Sequence, residues 1–267
     1  MDPIHIPKFI AAAIRTLGSP CSLRLVIITL SLLLAFVSIS PISAGTAVFG
    51  TISSPETWTV ANSPYTVTGN VTVASGVKLT IEPGVTVKFD SGKSLLVDGT
   101  LVAQGTSSDT ITFTSSAASP AAGDWGIIDF RTGSTGTTFD SNGDYVSGQI
   151  FEHCRIEYAG FGADNQVIGD PTFISNCTIT NNRGKNGSQA IINTYHANDN
   201  AIIKNSTITQ NEGVAIRIAY QQSGRVEYVL EGRDGTTLTG NTITSNYSGV
   251  QMSGLYNLTV TNNVISI

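Results

Sequence analysis

Residues 174–209 read ISNCTITNNRGKNGSQAIINTYHANDNAIIKNSTIT, and the segment that opens this stretch, ISNCTIT, returns at its end as IKNSTIT. The same frame occurs as FEHCRIE at 151–157, LTGNTIT at 238–244 and VTNNVIS at 260–266. Each copy holds an apolar residue, two variable ones, a small polar residue, one more variable residue and then Ile. The Ile column is Ile156, Ile179, Ile208, Ile243 and Ile265, and the small polar column is Cys154, Cys177, Ser206, Asn241 and Asn263. A further column holds Asn182, Asn211 and Asn246, each followed within three residues by Gly184, Gly213 or Gly249.

Successive members of the small polar column are 23, 29, 35 and 22 residues apart, a period that signals a solenoid. Two-residue alternation, β-branched residues and many glycines exclude helical repeats. A rung of about 22 residues with three short strands fits a parallel β-helix, longer intervals being loops. Parallel coils bring equivalent residues about 4.8 Å apart. The Ile column then stacks along the bore, and the Asn column becomes a ladder of side-chain amides able to bond the next coil and the turn backbone.

The first half obeys the same physics with looser repetition. NVTVASG, VKLTIEPG, VTVKFDSG, SLLVDG, TLVAQG and TITFTSS are successive strands ending at Gly or at Ser/Asp turns. This reads as two or three narrower, irregular coils and a loop-rich interval within 45–148, then regular coils over 149–267. GDWGIIDF supplies one more strand inside that interval.

Only 12% of the 267 residues are charged and the formal net charge is −5. Nothing resembles a basic stripe, which argues against nucleic acid as a partner. Lys8, Arg15 and Arg24 precede an uncharged run, Leu25 to Ala44, followed by small residues. Residues 1–44 therefore read as a secretory signal cleaved after Ala44, or as an uncleaved signal-anchor holding the chain to a membrane through residues 25–44. Either way the chain is expected to be secreted or extracytoplasmic. Without residues 1–44 it keeps 11 basic and 18 acidic residues, net −7. Cys154 and Cys177, in one column of successive coils, invite a disulfide or a stacked pair of small core thiols.

NVTVASGVKLTIEPGVTVKF, LLVDGTLVAQGTSSDTITFTS, GDWGIIDF and IEYAG together resemble the N-terminal coils of secreted parallel β-helix repeat proteins. NCTITNN, NSTITQN and NTITSN are similar to the β-helix repeat of the pectin-lyase-like superfamily. The resemblance covers roughly residues 50–267 and implies an all-β, right-handed parallel β-helix. That scaffold hosts lyases, hydrolases, epimerases, adhesins and surface proteins, so it leaves activity open.

Lyases of this fold group carboxylates around Ca²⁺ beside an Arg or Lys base. Asp164, Asp170, Arg183, Lys185, His196 and Asp199 are the residues that could form such a cleft, although they lie in loop-like sequence where solvated turn polarity is the alternative. Ca²⁺ enters only if the chain is a lyase, and no other cofactor is indicated. No Asp-Asp or Asp-x-Asp pair marks a glycoside hydrolase. His153 reads as a surface residue on a strand. Thr178, Thr207 and Thr242 form an outward Thr row of the kind that binds ice, broken by the first and last copies of the repeat. Six Asn-x-Ser/Thr sites occur, at Asn70, Asn176, Asn186, Asn205, Asn246 and Asn257. Tyr158, Phe161, Tyr195, Tyr220 and Tyr247 could stack on sugars or cover loops.

The leading expectation is a cell-surface or secreted β-helix of binding or structural type, meeting polysaccharide or neighbouring surface components. A Ca²⁺-dependent polysaccharide lyase is the alternative and ice binding a third. Ile267 falls inside a repeat strand, which leads to an expectation of a truncated product, a self-associating end or a capping partner at the last coil.

Overall fold

The computed structural model describes residues 45–141, 144–162, 166–184, 190–194, 201–219, 237–253 and 259–266. The export segment 1–44 lies outside the described residues.

The described chain is all-β, and its strands pair in parallel with strands one coil away, the one exception being a short antiparallel hairpin. It is a right-handed parallel β-helix with three strands per coil. Face 2 begins with Glu56–Trp58 and Lys78–Ile81 and ends with Thr259–Thr261. Face 3 runs through Thr86–Phe89, Ile111–Ser115 and Cys154–Glu157 to Val264–Ile265. Face 1 runs through Leu95–Val97, Ile128–Phe130, Ile168–Gly169, Ala190–Thr194 and Val214–Ala219 to Ser248–Ser253. Tyr65–Val73 bends across a corner, so its first half pairs on face 3 and its second half on face 1.

Alternation explains the bore. On face 3 the inward column runs Tyr65, Val87, Phe113, Ile156, Ile179, Ile208, Ile243 and Ile265, each in register with the next. On face 2 it runs Trp58, Ile81, Ala103, Phe151, Ile174, Ile203, Leu238 and Val260. These residues are buried except at the last coil, where Val260 and Ile265 are partly exposed. Ala103 is the small member of its column, and the space beside it is filled from three directions. Phe151 meets Phe113 of face 3 edge-on at 5.8 Å and Phe130 of face 1 at 5.7 Å. Such pairs add roughly 0.5–1.5 kcal/mol beyond the area they bury.

Register corrects one expectation. Trp58, Ile81 and Ala103 are equivalent residues 23 and 22 positions apart, so the N-terminal coils are as wide as the C-terminal ones. Ala103 to Phe151 is instead 48 positions. That extra length holds Trp125 and the hairpin of Thr138–Phe139 with Tyr145–Ser147. The hairpin lies on face 2, where Phe139 meets the Phe173 ring edge-on at 5.2 Å, Tyr145 stacks with it at 6.2 Å and Lys204 Nζ lies 5.1 Å from its centroid. Partial burial there pushes the Tyr145 hydroxyl above its ordinary pKa.

Two corners of each regular coil turn on one left-handed residue. His153, Asn176, Asn205, Gly240 and Asn262 have φ of 46, 54, 50, 65 and 55° between faces 2 and 3. Tyr158, Asn181, Gln210 and Ser245 have φ of 65, 56, 57 and 54° between faces 3 and 1. Asn and Gly suit this region because the Cβ clash is absent or offset by local hydrogen bonding. His153 is therefore a corner residue and not a strand residue. The buried side chain after each corner ties the coils together. Asn182 donates from Nδ2 to Asn211 Oδ1 at 3.0 Å, and Asn211 donates to Asn246 Oδ1 at 2.9 Å. At the other corner Asn241 donates to Asn263 Oδ1 at 2.9 Å, while the Ser206 N–H donates to Asn241 Oδ1 at 3.0 Å.

Cys154 and Cys177 occupy the start of that second column as buried free thiols. Each donates to a backbone carbonyl, Cys154 to Ala103 at 3.3 Å and Cys177 to Ser175 at 3.2 Å. Burial, reinforced by the neighbouring Cys177, pushes the Cys154 thiol well above its usual pKa. A raised pKa keeps the thiol protonated at neutral pH, and only the thiolate reacts quickly. Peptide mass mapping after alkylation is expected to find both cysteines unmodified in the native protein at pH 7 and at pH 9, and fully modified in denaturant. Native labelling of Cys154 that climbs across that pH range would sink this account.

Candidate functional site

Outward residues of face 1 form one column along the axis: Thr51, Thr72, Leu96, Asp129, Gly169, Asn193, Arg217 and Gln251. The column is apolar or hydroxylic over its first three coils and changes character at Asp129. From there an acid, a glycine, an amide, a guanidinium and a second amide follow on successive coils.

The polar members are linked side to side. Asn193 donates from Nδ2 to Gln166 Oε1 at 2.5 Å. Arg217 donates from Nε and Nη2 to Gln251 Oε1 at 3.3 and 3.0 Å. Gly169 is required by the stripe itself. A Cβ there would lie 2.4 Å from Asp129 Oδ1 and 3.2 Å from Gln166 Nε2, so any side chain would push the acid off its place. Asn193 is only 2% exposed, and its Oδ1 has no hydrogen-bond partner among the described residues. Asn193 is thus a buried member of the column, and Asp129, Arg217 and Gln251 are the members that reach the surface.

The loop residues named from the sequence are placed differently. Asp170 follows the strand Ile168–Gly169, at the edge where face 1 turns towards face 2, with φ 48° and its N–H on the Asn193 carbonyl at 2.7 Å. Arg183 precedes the face 1 strand Ala190–Thr194, in the opposite corner. Its Nε donates to Glu212 Oε2 at 2.9 Å, and its guanidinium packs over Gly123. Asp170 and Arg183 thus flank face 1 and do not share one groove. Asp164, Lys185, His196 and Asp199 lie outside the described residues, as do Tyr195, Tyr220, Asn186 and Asn257. Among the described residues no group of three or more His, Cys, Asp or Glu could hold a metal ion.

The Thr rows do pair in register, Thr178 with Thr207 and Thr207 with Thr242. They do not make a flat open face, because Thr180 beside them is buried and the coil before is occupied by the Arg155–Glu157 ion pair at 2.6 Å. Of the described glycosylation motifs, Asn70, Asn176 and Asn205 are exposed, whereas Asn246 is buried with its amide donated to the Ile208 carbonyl at 2.8 Å.

Asp129, Asn193, Arg217 and Gln251 have a trace in the sequence. Asp129, Arg217 and Gln251 are single polar residues flanked by apolar ones in IIDF, AIRIA and GVQM, and Asn193 follows two isoleucines in IINT. In a fully apolar strand an isolated polar residue points out of the sheet. What the sequence hides is that all four point from the same face, since the loops between them differ in length.

A polar stripe of this kind offers donors and acceptors to a hydroxyl-bearing ligand and presents no isolated nucleophile. Residues 50–169 match the family model described as a pectate-lyase-like β-helix domain. Comparison with curated proteins and with solved structures gives no match. The matched segment ends at Gly169, the glycine of the stripe, and the strand register carries the same three-faced coil on to Ile265, so the chain is a parallel β-helix protein whose residues 50–169 are similar to the pectate-lyase-like β-helix domain.

Proposed function

We propose that this β-helix works outside the cytoplasm as a binding or structural protein, with face 1 turned towards polysaccharide. The in-register column that sets Asp129, Arg217 and Gln251 at the surface of one face carries this reading. Sugar hydroxyls both donate and accept, which matches an alternation of carboxylate, amide and guanidinium along a rigid sheet. Placement outside the cytoplasm is supported by the basic, then apolar, then small-residue order of residues 1–44.

The test is affinity electrophoresis through gels cast with individual polysaccharides. Binding to at least one polymer is expected, and Arg217→Ala combined with Gln251→Ala is expected to weaken it about tenfold, from the loss of two hydrogen-bonding groups. Retention unaffected by the double substitution would remove face 1 as the binding surface.

Lyase activity is the second reading, and it has one observation behind it: an acid, Asp129, and a guanidinium, Arg217, share the stripe. They are three coils apart, about 14 Å between Cα atoms at about 4.8 Å per coil. Release of unsaturated product from uronate polymers, followed by absorbance with and without Ca²⁺, decides between the two. Product formation would replace the binding reading.

A further inference from the structure

Three aromatic rings are strongly exposed among the described residues: Phe49 at 74%, Phe161 at 55% and Tyr247 at 67%. All three stand on one edge of the solenoid, the corner between faces 3 and 1. Phe49 sits at the register shift where Thr46–Ile52 passes from its face 3 pairing to its face 1 pairing. Phe161 follows the strand Cys154–Glu157 and reaches back over Gly92, which lies between Thr86–Phe89 and Leu95–Val97. Tyr247 lies between Thr242–Thr244 and Ser248–Ser253.

Two of the rings are seated on glycine. Phe161 comes within 3.0 Å of where a Gly92 Cβ would be, and the Phe49 Cβ within 3.1 Å of a Gly69 Cβ. Side chains at 69 or 92 would lift the aromatic residues off the backbone. The rings are therefore held against the corner while remaining more than half exposed.

We propose that this corner is a stacking rail for a neutral polysaccharide chain lying along the solenoid axis, with its hydroxyls turned to the face 1 stripe. The proposal rests on the polysaccharide reading above and adds where the sugar rings sit and what charge the polymer carries. From the coil of Phe49 to that of Tyr247 there are seven strand spacings, about 34 Å at about 4.8 Å each. Protein partners need a contiguous apolar patch, whereas these rings are single and spaced. A polymer that repeats a small apolar ring face along a line fits spaced aromatic faces. The formal net charge of −5 disfavours a polyuronate, whose own charge would be repelled along its whole length.

The experiment uses the full chain in affinity gels containing hydroxyethylcellulose, mannan, xylan, polygalacturonate or alginate, at low and high salt. Retention by a neutral polymer, little changed by salt, is expected. Phe161→Ala and Tyr247→Ala are each expected to weaken it about three- to tenfold, and Tyr247→Trp to restore it. Thermal melts of the same variants, unchanged for Tyr247→Ala, separate lost binding from lost folding. Retention that falls with Arg217→Ala but not with Tyr247→Ala overturns the rail and leaves the face 1 reading intact. Retention only by polygalacturonate or alginate also overturns the inference. No retention by any polymer defeats both proposals, and a dimer in size-exclusion chromatography that Tyr247→Ala converts to monomer assigns the rings to self-association instead.

Discussion

Phe151→Ala is expected to destabilise the protein by about 4 kcal/mol, near the upper end for large-to-small changes in a core. Phe151 is 1% exposed and follows Ala103 in the face 2 column, so the substitution would set two alanines on consecutive coils. It would also remove both edge contacts, to Phe113 and to Phe130. The neighbouring coils cannot close the gap, because their spacing is held by backbone pairing on all three faces. Ile265→Ala makes the control: Ile265 is 46% exposed in the last coil, and its truncation is expected to cost about 1 kcal/mol or less. Urea unfolding with hydrogen exchange reads both. In a solenoid each coil leans only on its neighbours, so protection should fall first in the coils around residues 100–175. A loss under about 1.5 kcal/mol for Phe151→Ala would mean that the bore is less tightly filled than the ring contacts indicate.

Asn211→Ala is expected to cost about 3 kcal/mol although it deletes no apolar surface. Asn211 Oδ1 accepts the Asn182 backbone N–H at 2.9 Å and its Nδ2 at 3.0 Å. Its own Nδ2 donates to the Ile179 carbonyl at 3.0 Å and to Asn246 Oδ1 at 2.9 Å. Asn182 is fully buried, so its N–H would be left without a partner and beyond the reach of water. Leucine fills a similar volume but supplies no acceptor, so Asn211→Leu should be no better than alanine. If Asn211→Leu proved as stable as the natural protein in denaturant unfolding, the ladder would be a packing feature and not a hydrogen-bonded one.

These two residues show what kind of information the chain carries in one dimension. Ile156, Ile179, Ile208 and Ile243 recur in a fixed frame, and a fixed frame in a parallel solenoid means a continuous stack. The fold class is legible for that reason. Asn182, Asn211 and Asn246 stand out for the same reason, but the left-handed corner residue before each of them does not. Asn181, Gln210 and Ser245 share a backbone conformation without sharing a side chain, so no sequence pattern reveals them. The width of the N-terminal coils is not legible in the sequence because Val, Leu, Ala and Phe take the inward positions interchangeably there, and only pairing shows which are equivalent.

The candidate site divides in the same way. Composition and local pattern by themselves determined that the chain is a β-solenoid and that its bore is aliphatic, while Asp129, Asn193, Arg217 and Gln251 leave only a trace there. Tertiary structure alone decided that these four share one column, and that Asp170 and Arg183 stand at opposite edges of that face. It also decided that every strongly exposed aromatic ring among the described residues lies along one corner. The physical reason is register. Strands are aligned by backbone hydrogen bonds across loops of unequal length, and sequence separation carries no record of where a loop's surplus residues go.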